Sequence, residues 1–203
     1  MKIICIGRNY AEHAKELNNP VPQQPVFFMK PDTALLKDGA DFYLPDFSAE
    51  IHHELEVVLK ISKAGKHIAE EFAANYYDEI GLGVDFTARD LQQECKSKGL
   101  PWEIAKAFDG SAPIGKFIPK AQLGNLDALN FHLEINGETR QTGTTADLLF
   151  RFDQIIAYVS RFVTLKTGDL IYTGTPSGVG PVKINDQLKG FLGDECLIQF
   201  SVR

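Results

Sequence analysis

The sequence lacks a long apolar run. No stretch approaches the roughly 20 apolar residues that a bilayer-spanning helix needs. The opening MKIICIGRNY becomes polar too early for a secretory signal, and it is not rich in Arg and Ser like a transit peptide. We therefore expect a cytoplasmic protein with no membrane association.

Cysteine is scarce, and the usual nucleophile motifs are missing. The chain has 3 cysteines and no C-x-x-C pair, which argues against a disulfide framework or a cysteine zinc site. Cys5 and Cys196 lie in apolar, strand-like segments and are expected to be small core residues. No G-x-S-x-G motif is present, so covalent catalysis has no support.

An excess of positive charge is also missing. Lys and Arg number 21 against 27 Asp and Glu, which gives a formal net charge of −6. A nucleic-acid binder needs a basic surface to neutralise phosphates, so we expect no nucleic-acid partner. A small anionic substrate is compatible with this composition, because local charge can differ from net charge.

Strand patterns outnumber helix patterns. A chain of 203 residues fits a single domain, 1–203, with its own core. Helices are predicted after Asn9, from a Thr87 cap to Gly99, and along the apolar stripe 148–162 after a Thr144 cap. The regular β–α alternation of a doubly wound sheet is missing, which predicts an α+β, β-rich fold.

Three acidic residues are candidate metal ligands. Glu54 and Glu56 share one face of a predicted strand, and Asp85 stands where an apolar strand meets a predicted helix. Because Thr87 is assigned the cap, Asp85 is left free to complete an oxygen-rich triad, which suits Mg²⁺. The alternatives are a solvated strand face and an ordinary capping aspartate.

His13 and Glu16 are candidate catalytic residues. At a spacing of three they are neighbours on a helix, where the carboxylate could orient the imidazole for deprotonating water. The alternative is a surface pair. A zinc site at His52 and His53 is disfavoured, because adjacent strand residues point to opposite faces.

Other segments could contact a substrate. Lys106, in the stretch PWEIAKAF, could neutralise an oxyanion, or it could be a surface lysine with a buried stem. The glycine-rich run 174–180 permits close backbone approach, and Thr175 could donate to an anion; the alternative is a tight loop. Arg89 and Gln92 share a helix face, which could equally be solvated.

In this order, the segments resemble the fumarylacetoacetate hydrolase family. The closest likeness is to its small acylpyruvase and oxaloacetate-decarboxylase-type members. The segments that carry the resemblance are GRNY with His13, FMKP at 28–31, HELE at 53–56, DFTARD at 85–90, KAFD at 106–109 and TGTPSGVG at 173–180.

The resemblance implies a mixed β-roll and a homodimer. It also implies Mg²⁺ or Mn²⁺ held by Glu54, Glu56 and Asp85. A His13–Glu16 dyad would lie on a segment, 13–25, that closes over the substrate, with Lys106 in the pocket. The positions expected around the substrate are Arg8, Lys30, Arg89, Gln92 and Thr175.

The implied activity is metal-dependent hydrolysis of the C–C bond of 3-acylpyruvates through a pyruvate enolate. Water activation by His13 favours this reaction, and Val84, where many isomerase-like relatives have Asn, favours the same branch. The alternative is an oxaloacetate decarboxylase or a keto–enol isomerase of dicarboxylic 2-oxo acids with the same metal site. A third hypothesis is a non-catalytic module in which the acids are structural.

Overall fold

The computed structural model describes residues 1–17, 20–37 and 39–203. These residues form five short α-helices: α1 (Ala11–Glu16), α2 (Glu70–Ala73), α3 (Arg89–Lys98), α4 (Glu103–Lys106) and α5 (Phe152–Ser160). The strands are β1 (Ile3–Gly7), β2 (Val26–Lys30), β3 (Leu35–Leu36), β4 (Ile51–His53), β5 (Leu55–Ile61), β6 (Tyr77–Val84), β7 (Thr87–Ala88), β8 (Ala112–Pro119), β9 (Asn130–Ile135), β10 (Glu138–Thr144), β11 (Leu170–Tyr172), β12 (Gly180–Pro181), β13 (Gln187–Leu192) and β14 (Glu195–Ser201).

Three sheets organise the chain. The largest has the order β2-β1-β11-β5-β6-β8-β3 and is mixed, since β1 pairs with β11, and β3 with β8, in parallel. A second sheet has the order β10-β9-β13-β14, and a small third sheet the order β12-β4-β7. The predicted α+β, β-rich class is confirmed. Among the described helices none is long and apolar enough to cross a membrane.

The alternation in β5 separates its two faces as predicted. Leu55, Val57 and Leu59 are buried in the main core, which includes residues of both larger sheets. Val58 packs instead in a second cluster on the opposite face. Glu56 alternates with the main-core residues, and this periodicity directs its carboxylate away from them.

The sequence pair Asn136-Gly137 is typical of a hairpin turn, and the structure forms that turn between two strands. Asn136 and Gly137 have φ values of 56° and 80°, and they connect β9 to β10. Both residues thus adopt the left-handed backbone that favours an Asn-Gly turn between strands.

Three predicted helix caps are wrong. The side chain of Asn9 bonds to Phe150 and Thr173 instead of capping α1. Thr87 lies in β7, and α3 begins two residues later. Thr144 caps only a 3-10 turn, and α5 begins at Phe152. Asn9 is engaged by polar groups distant in sequence, and Thr87 by strand pairing, while Thr144 caps a 3-10 turn that the helix does not continue.

Candidate active site

Strand pairing brings the three acidic residues together. Glu54 immediately precedes β5, and Asp85 immediately follows β6, the antiparallel neighbour of β5. The backbone N–H of Asp85 donates to the carbonyl of Glu54 at 2.8 Å. Potential ligand oxygens of Glu54, Glu56 and Asp85 all lie within 4.8 Å of one another, and all three residues are buried.

Three cations surround two of these carboxylates. Lys106 Nζ lies 2.9 Å from Glu54 and 2.8 Å from Asp85. Arg89 lies 2.6 Å from Glu54, and Lys30 lies 2.7 Å from Asp85. Burial alone would raise the pKa of Glu54, but Lys106 and Arg89 outweigh it and hold that pKa well below its usual range. Lys106 is therefore a buried charge and not a surface lysine.

Glu56 differs from its two neighbours. Its carboxylate accepts the N–H of Gly174 at 2.6 Å, and no described Lys, Arg or His lies within ion-pair distance of it. Burial, followed by repulsion from Asp85 and Glu54, raises its pKa well above the ordinary value. A buried carboxylate without a cationic partner is costly, and a bound cation would remove that cost.

The donor set fits a hard divalent cation. All three groups supply carboxylate oxygens, the ligands that Mg²⁺ and Mn²⁺ prefer. Asp85 Oδ1 is buried and makes no hydrogen bond, although Lys30 lies close to it. Glu54, Glu56 and Asp85 are therefore the residues that would hold such an ion.

His13 and Glu16 form the predicted pair, with His13 lining the cleft. His13 is only 5% exposed, whereas Glu16 is exposed, and His13 Nδ1 lies 3.1 Å from Glu16. The second oxygen of Glu16 accepts the N–H of Gly178 at 3.0 Å. Because Nδ1 is engaged, Nε2 is the nitrogen left for proton exchange. Within the predicted closing segment 13–25, residues 18 and 19 lie outside the described part of the chain.

The cleft contains most of the other predicted site residues. Arg8, Arg89, Gln92 and Thr175 line it together with His13, Lys106 and the three acids. Arg89 donates to Gln92 at 2.8 Å. Lys30 lies behind Asp85, where it donates to Phe86 and Ser111. Its contacts therefore position the aspartate.

The hydroxyl of Thr175 is already bonded within the protein. It donates to the carbonyl of Leu55 and accepts from Gln141, both at 2.8 Å. The expected donation to an anion would require it to leave Leu55. Gln141 also accepts from the Leu55 N–H and contacts His53 Nδ1, so this glutamine joins β10 to the glycine-rich loop.

Sequence reasoning missed Gln141, Lys96 and Trp102. Lys96 and Trp102 line the cleft, with the Lys96 ammonium 5.6 Å from the Trp102 ring centroid. A lysine one helical turn after Gln92 on α3 was the available signal, since residues at this spacing share a face. For Gln141 no local signal exists, because its partners belong to distant strands.

Comparisons with known proteins agree with this architecture. The family model for the fumarylacetoacetate hydrolase C-terminal region matches residues 2–201. Mitochondrial oxaloacetate tautomerase FAHD1 of Mus musculus is 44% identical over 99% of this chain and 91% of its own length. Oxaloacetate tautomerase YcgM of Escherichia coli is 43% identical over 92% of this chain and 86% of its own.

Solved structures extend the likeness to the fold. A family protein from Yersinia pestis has a TM-score of 0.96 and 42% identity, covering 100% of this chain and 93% of its own. Fumarylpyruvate hydrolase from Pseudomonas aeruginosa, solved with Mn²⁺ and pyruvate, has a TM-score of 0.94 and 36% identity, covering 100% of this chain and 89% of its own. The predicted fold type is confirmed, and this chain belongs to the fumarylacetoacetate hydrolase family.

Proposed function

We propose that this chain is a divalent-metal-dependent enzyme that interconverts the keto and enol forms of oxaloacetate. The observation that carries the proposal is the convergence of Glu54, Glu56 and Asp85 beside Lys106 and His13. This arrangement occurs in a chain that is 44% identical to a curated oxaloacetate tautomerase. Identity over 99% of the chain outweighs the preference for acylpyruvate hydrolysis that His13 and Val84 suggested, and it favours the alternative reaction.

Tautomerisation breaks a C–H bond at C3 and forms an O–H bond at the 2-oxo oxygen. The reaction needs a group that exchanges a proton with the substrate. It also needs a positive charge near the 2-oxo oxygen. A Mg²⁺ or Mn²⁺ ion held by the three acids would supply charge that makes the C3 hydrogens of a 2-oxo acid more acidic.

Lys106 and His13 have different roles in the reaction. Burial would lower the pKa of Lys106, but Asp85 and Glu54 outweigh it and raise that pKa. Lys106 therefore stays protonated and stabilises negative charge instead of acting as a base. His13, held through Nδ1 by Glu16, is the group that exchanges the proton.

Hydrolysis of 3-acylpyruvates is the second candidate. The pair of buried His13 and exposed Glu16 would suit a general base for water. The P. aeruginosa relative is a fumarylpyruvate hydrolase solved with Mn²⁺ and pyruvate. Because both reactions would use the same acids and the same lysine, only rates on defined substrates separate them.

The test compares three reactions of the purified protein. The absorbance of enol-oxaloacetate follows tautomerisation, while pyruvate release follows oxaloacetate decarboxylation and acetylpyruvate hydrolysis, each with Mg²⁺, Mn²⁺ or EDTA. We expect tautomerisation to have the highest kcat/KM and to be lost in EDTA. A higher kcat/KM for either other reaction, or full tautomerase activity in EDTA, contradicts the proposal.

The variant Glu56→Gln tests the ligand assignment. Glutamine keeps an oxygen that accepts from Gly174, and no described cation loses a partner. We expect kcat for tautomerisation to fall about 10²–10³-fold, as when one charge-stabilising group is lost. Glu103→Gln, an exposed change on α4, is the matched control. Unchanged kcat in Glu56→Gln rejects the assignment.

A further inference from the structure

Two cations in the cleft have no carboxylate partner among the described residues. Lys106 and Arg89 are paired with the acids of the triad. Arg8, which follows β1, and Lys96, on α3, line the same cleft. Within residues 1–17, 20–37 and 39–203, neither makes an ion pair or a side-chain hydrogen bond. The cleft thus contains cations that are paired with carboxylates and two cations whose charge is uncompensated.

Lys96 is held in the cleft despite the neighbouring positive charge. It is half-buried, with its ammonium over the Trp102 ring at 5.6 Å from the centroid. Burial, then Arg8 and Arg89, lower its pKa. A lysine on a solvated face would turn away from these arginines. Here the indole ring instead retains it by a cation–π contact.

The backbone of Arg8 adopts an unusual conformation. Its φ is 60°, in the left-handed region that is strained for a non-glycine residue. Such conformations concentrate at ligand-binding positions, where the surrounding structure holds them. A bound anion would offset the burial and the repulsion from Arg8 and Arg89 that Lys96 meets in the cleft, and it would pair with the charge of Arg8.

We propose that Lys96, with Arg8, forms a subsite for the second carboxylate of a dicarboxylic 2-oxo acid. This inference rests on the proposed function and names its substrate class. The 2-oxo group and its adjacent carboxylate would face the triad, and the carboxylate on C3 would face the two cations. Pyruvate lacks that carboxylate and acetylpyruvate carries an uncharged acetyl group there, so neither would gain from the subsite.

The test compares Lys96→Gln with Lys98→Gln. Lys98 lies on the same helix, is exposed and pairs only with Glu94, which makes it a matched control. The probes are oxaloacetate and pyruvate, which differ only by the carboxylate on C3. Calorimetric titration of the Mn²⁺-loaded protein gives Kd for both, and oxaloacetate turnover gives KM and kcat.

We expect Lys96→Gln to weaken oxaloacetate binding by about ten-fold or more, the scale of one charge-assisted hydrogen bond. Its Kd for pyruvate should stay within about two-fold of the parent's, and Lys98→Gln should leave both values unchanged. Equal weakening for the two probes, or none for oxaloacetate, overturns the proposal. If the parent protein binds oxaloacetate in this Lys96-dependent way but does not tautomerise it, the proposed function fails while the subsite stands.

Discussion

His13 is the residue whose role differs most among the candidate reactions. Its imidazole is buried, and Glu16, itself anchored by the Gly178 N–H, fixes its Nδ1 side. Tautomerisation needs proton exchange at carbon, and hydrolysis needs a deprotonated water. Decarboxylation of oxaloacetate needs no base, because carbon dioxide leaves without loss of a proton, and the enolate that remains can take its proton at C3 from solvent.

The variant His13→Ala should therefore separate these reactions. We expect tautomerisation to fall by about 10²–10⁴-fold, the usual contribution of a general acid–base group. Any decarboxylation that the parent shows should change by less than about ten-fold. Glu12→Ala on the exposed face of α1 is the control. Equal losses in both reactions, measured as kcat/KM with Mn²⁺, would remove the special role of His13.

At the scale of elements, the site depends on the loop between β11 and β12. Gly174 has a φ of 108°, and its N–H donates to Glu56. An added Cβ would lie 2.7 Å from the Cβ of Asn9, which is itself fixed to Thr173 and Phe150. Both backbone conformation and space therefore require glycine here.

We expect Gly174→Ala to lower the free energy of unfolding by about 1–3 kcal/mol through backbone strain and to reduce turnover by displacing the contact with Glu56. Urea denaturation measures the first effect. Gly124→Ala is the control, since nothing lies within 4 Å of its added Cβ, and it should change stability by less than about 0.5 kcal/mol. Equal effects of the two variants would contradict this account.

Local patterns predict those elements whose cause is local. Alternation in β5 and the Asn136-Gly137 turn depend on neighbouring residues, and the structure has both. The side chain of Asn9 has the residue type of a helix cap, yet it bonds to Phe150 and Thr173, which lie 141 and 164 positions further along the chain. A short stretch of sequence around Asn9 contains no sign of such distant partners.

The candidate site likewise has features that local sequence patterns reveal and features that they do not. Alternation along the strand predicts that Glu54 and Glu56 share one face, but their approach to Asp85 depends on the pairing of β5 with β6, and from the sequence the triad is a hypothesis that the family resemblance strengthens. Gln141 enters from another sheet to bond with Thr175, and Lys96 matters because Trp102 retains it. These contacts arise only when distant segments pack, so periodicity cannot reveal them.

At the scale of the whole molecule, the charge of the cleft opposes the charge of the chain. The formal net charge is −6, yet five Lys and Arg side chains lie in or behind the cleft: Arg8, Lys30, Arg89, Lys96 and Lys106. A site of this kind attracts an anion at short range, although the net negative charge of the whole chain repels the anion at long range.

The homodimer stays a prediction. A native mass compared with the 22.6 kDa protomer would test it.

Metal binding should also stabilise the fold. The triad joins β5 to the end of β6 in the largest sheet, so an ion bound by all three acids is released on unfolding. A ligand at 100 times its Kd adds about 2.7 kcal/mol, equivalent to roughly 5–10 °C in Tm for a domain of this size. We expect Mg²⁺ or Mn²⁺ to raise Tm relative to EDTA, as measured by calorimetry.

The variant Glu56→Gln tests whether the metal-dependent rise in Tm comes from an ion bound by the triad. It should lose most of the metal-dependent rise in Tm. In EDTA it should unfold at or above the parent's Tm, because Glu56 repels Asp85 and Glu54 and has no described cationic partner. Glu103→Gln should keep the full rise. If Glu56→Gln kept it as well, the ion would bind elsewhere, and the buried acids would be a structural cluster stabilised by Lys30, Lys106 and Arg89 alone.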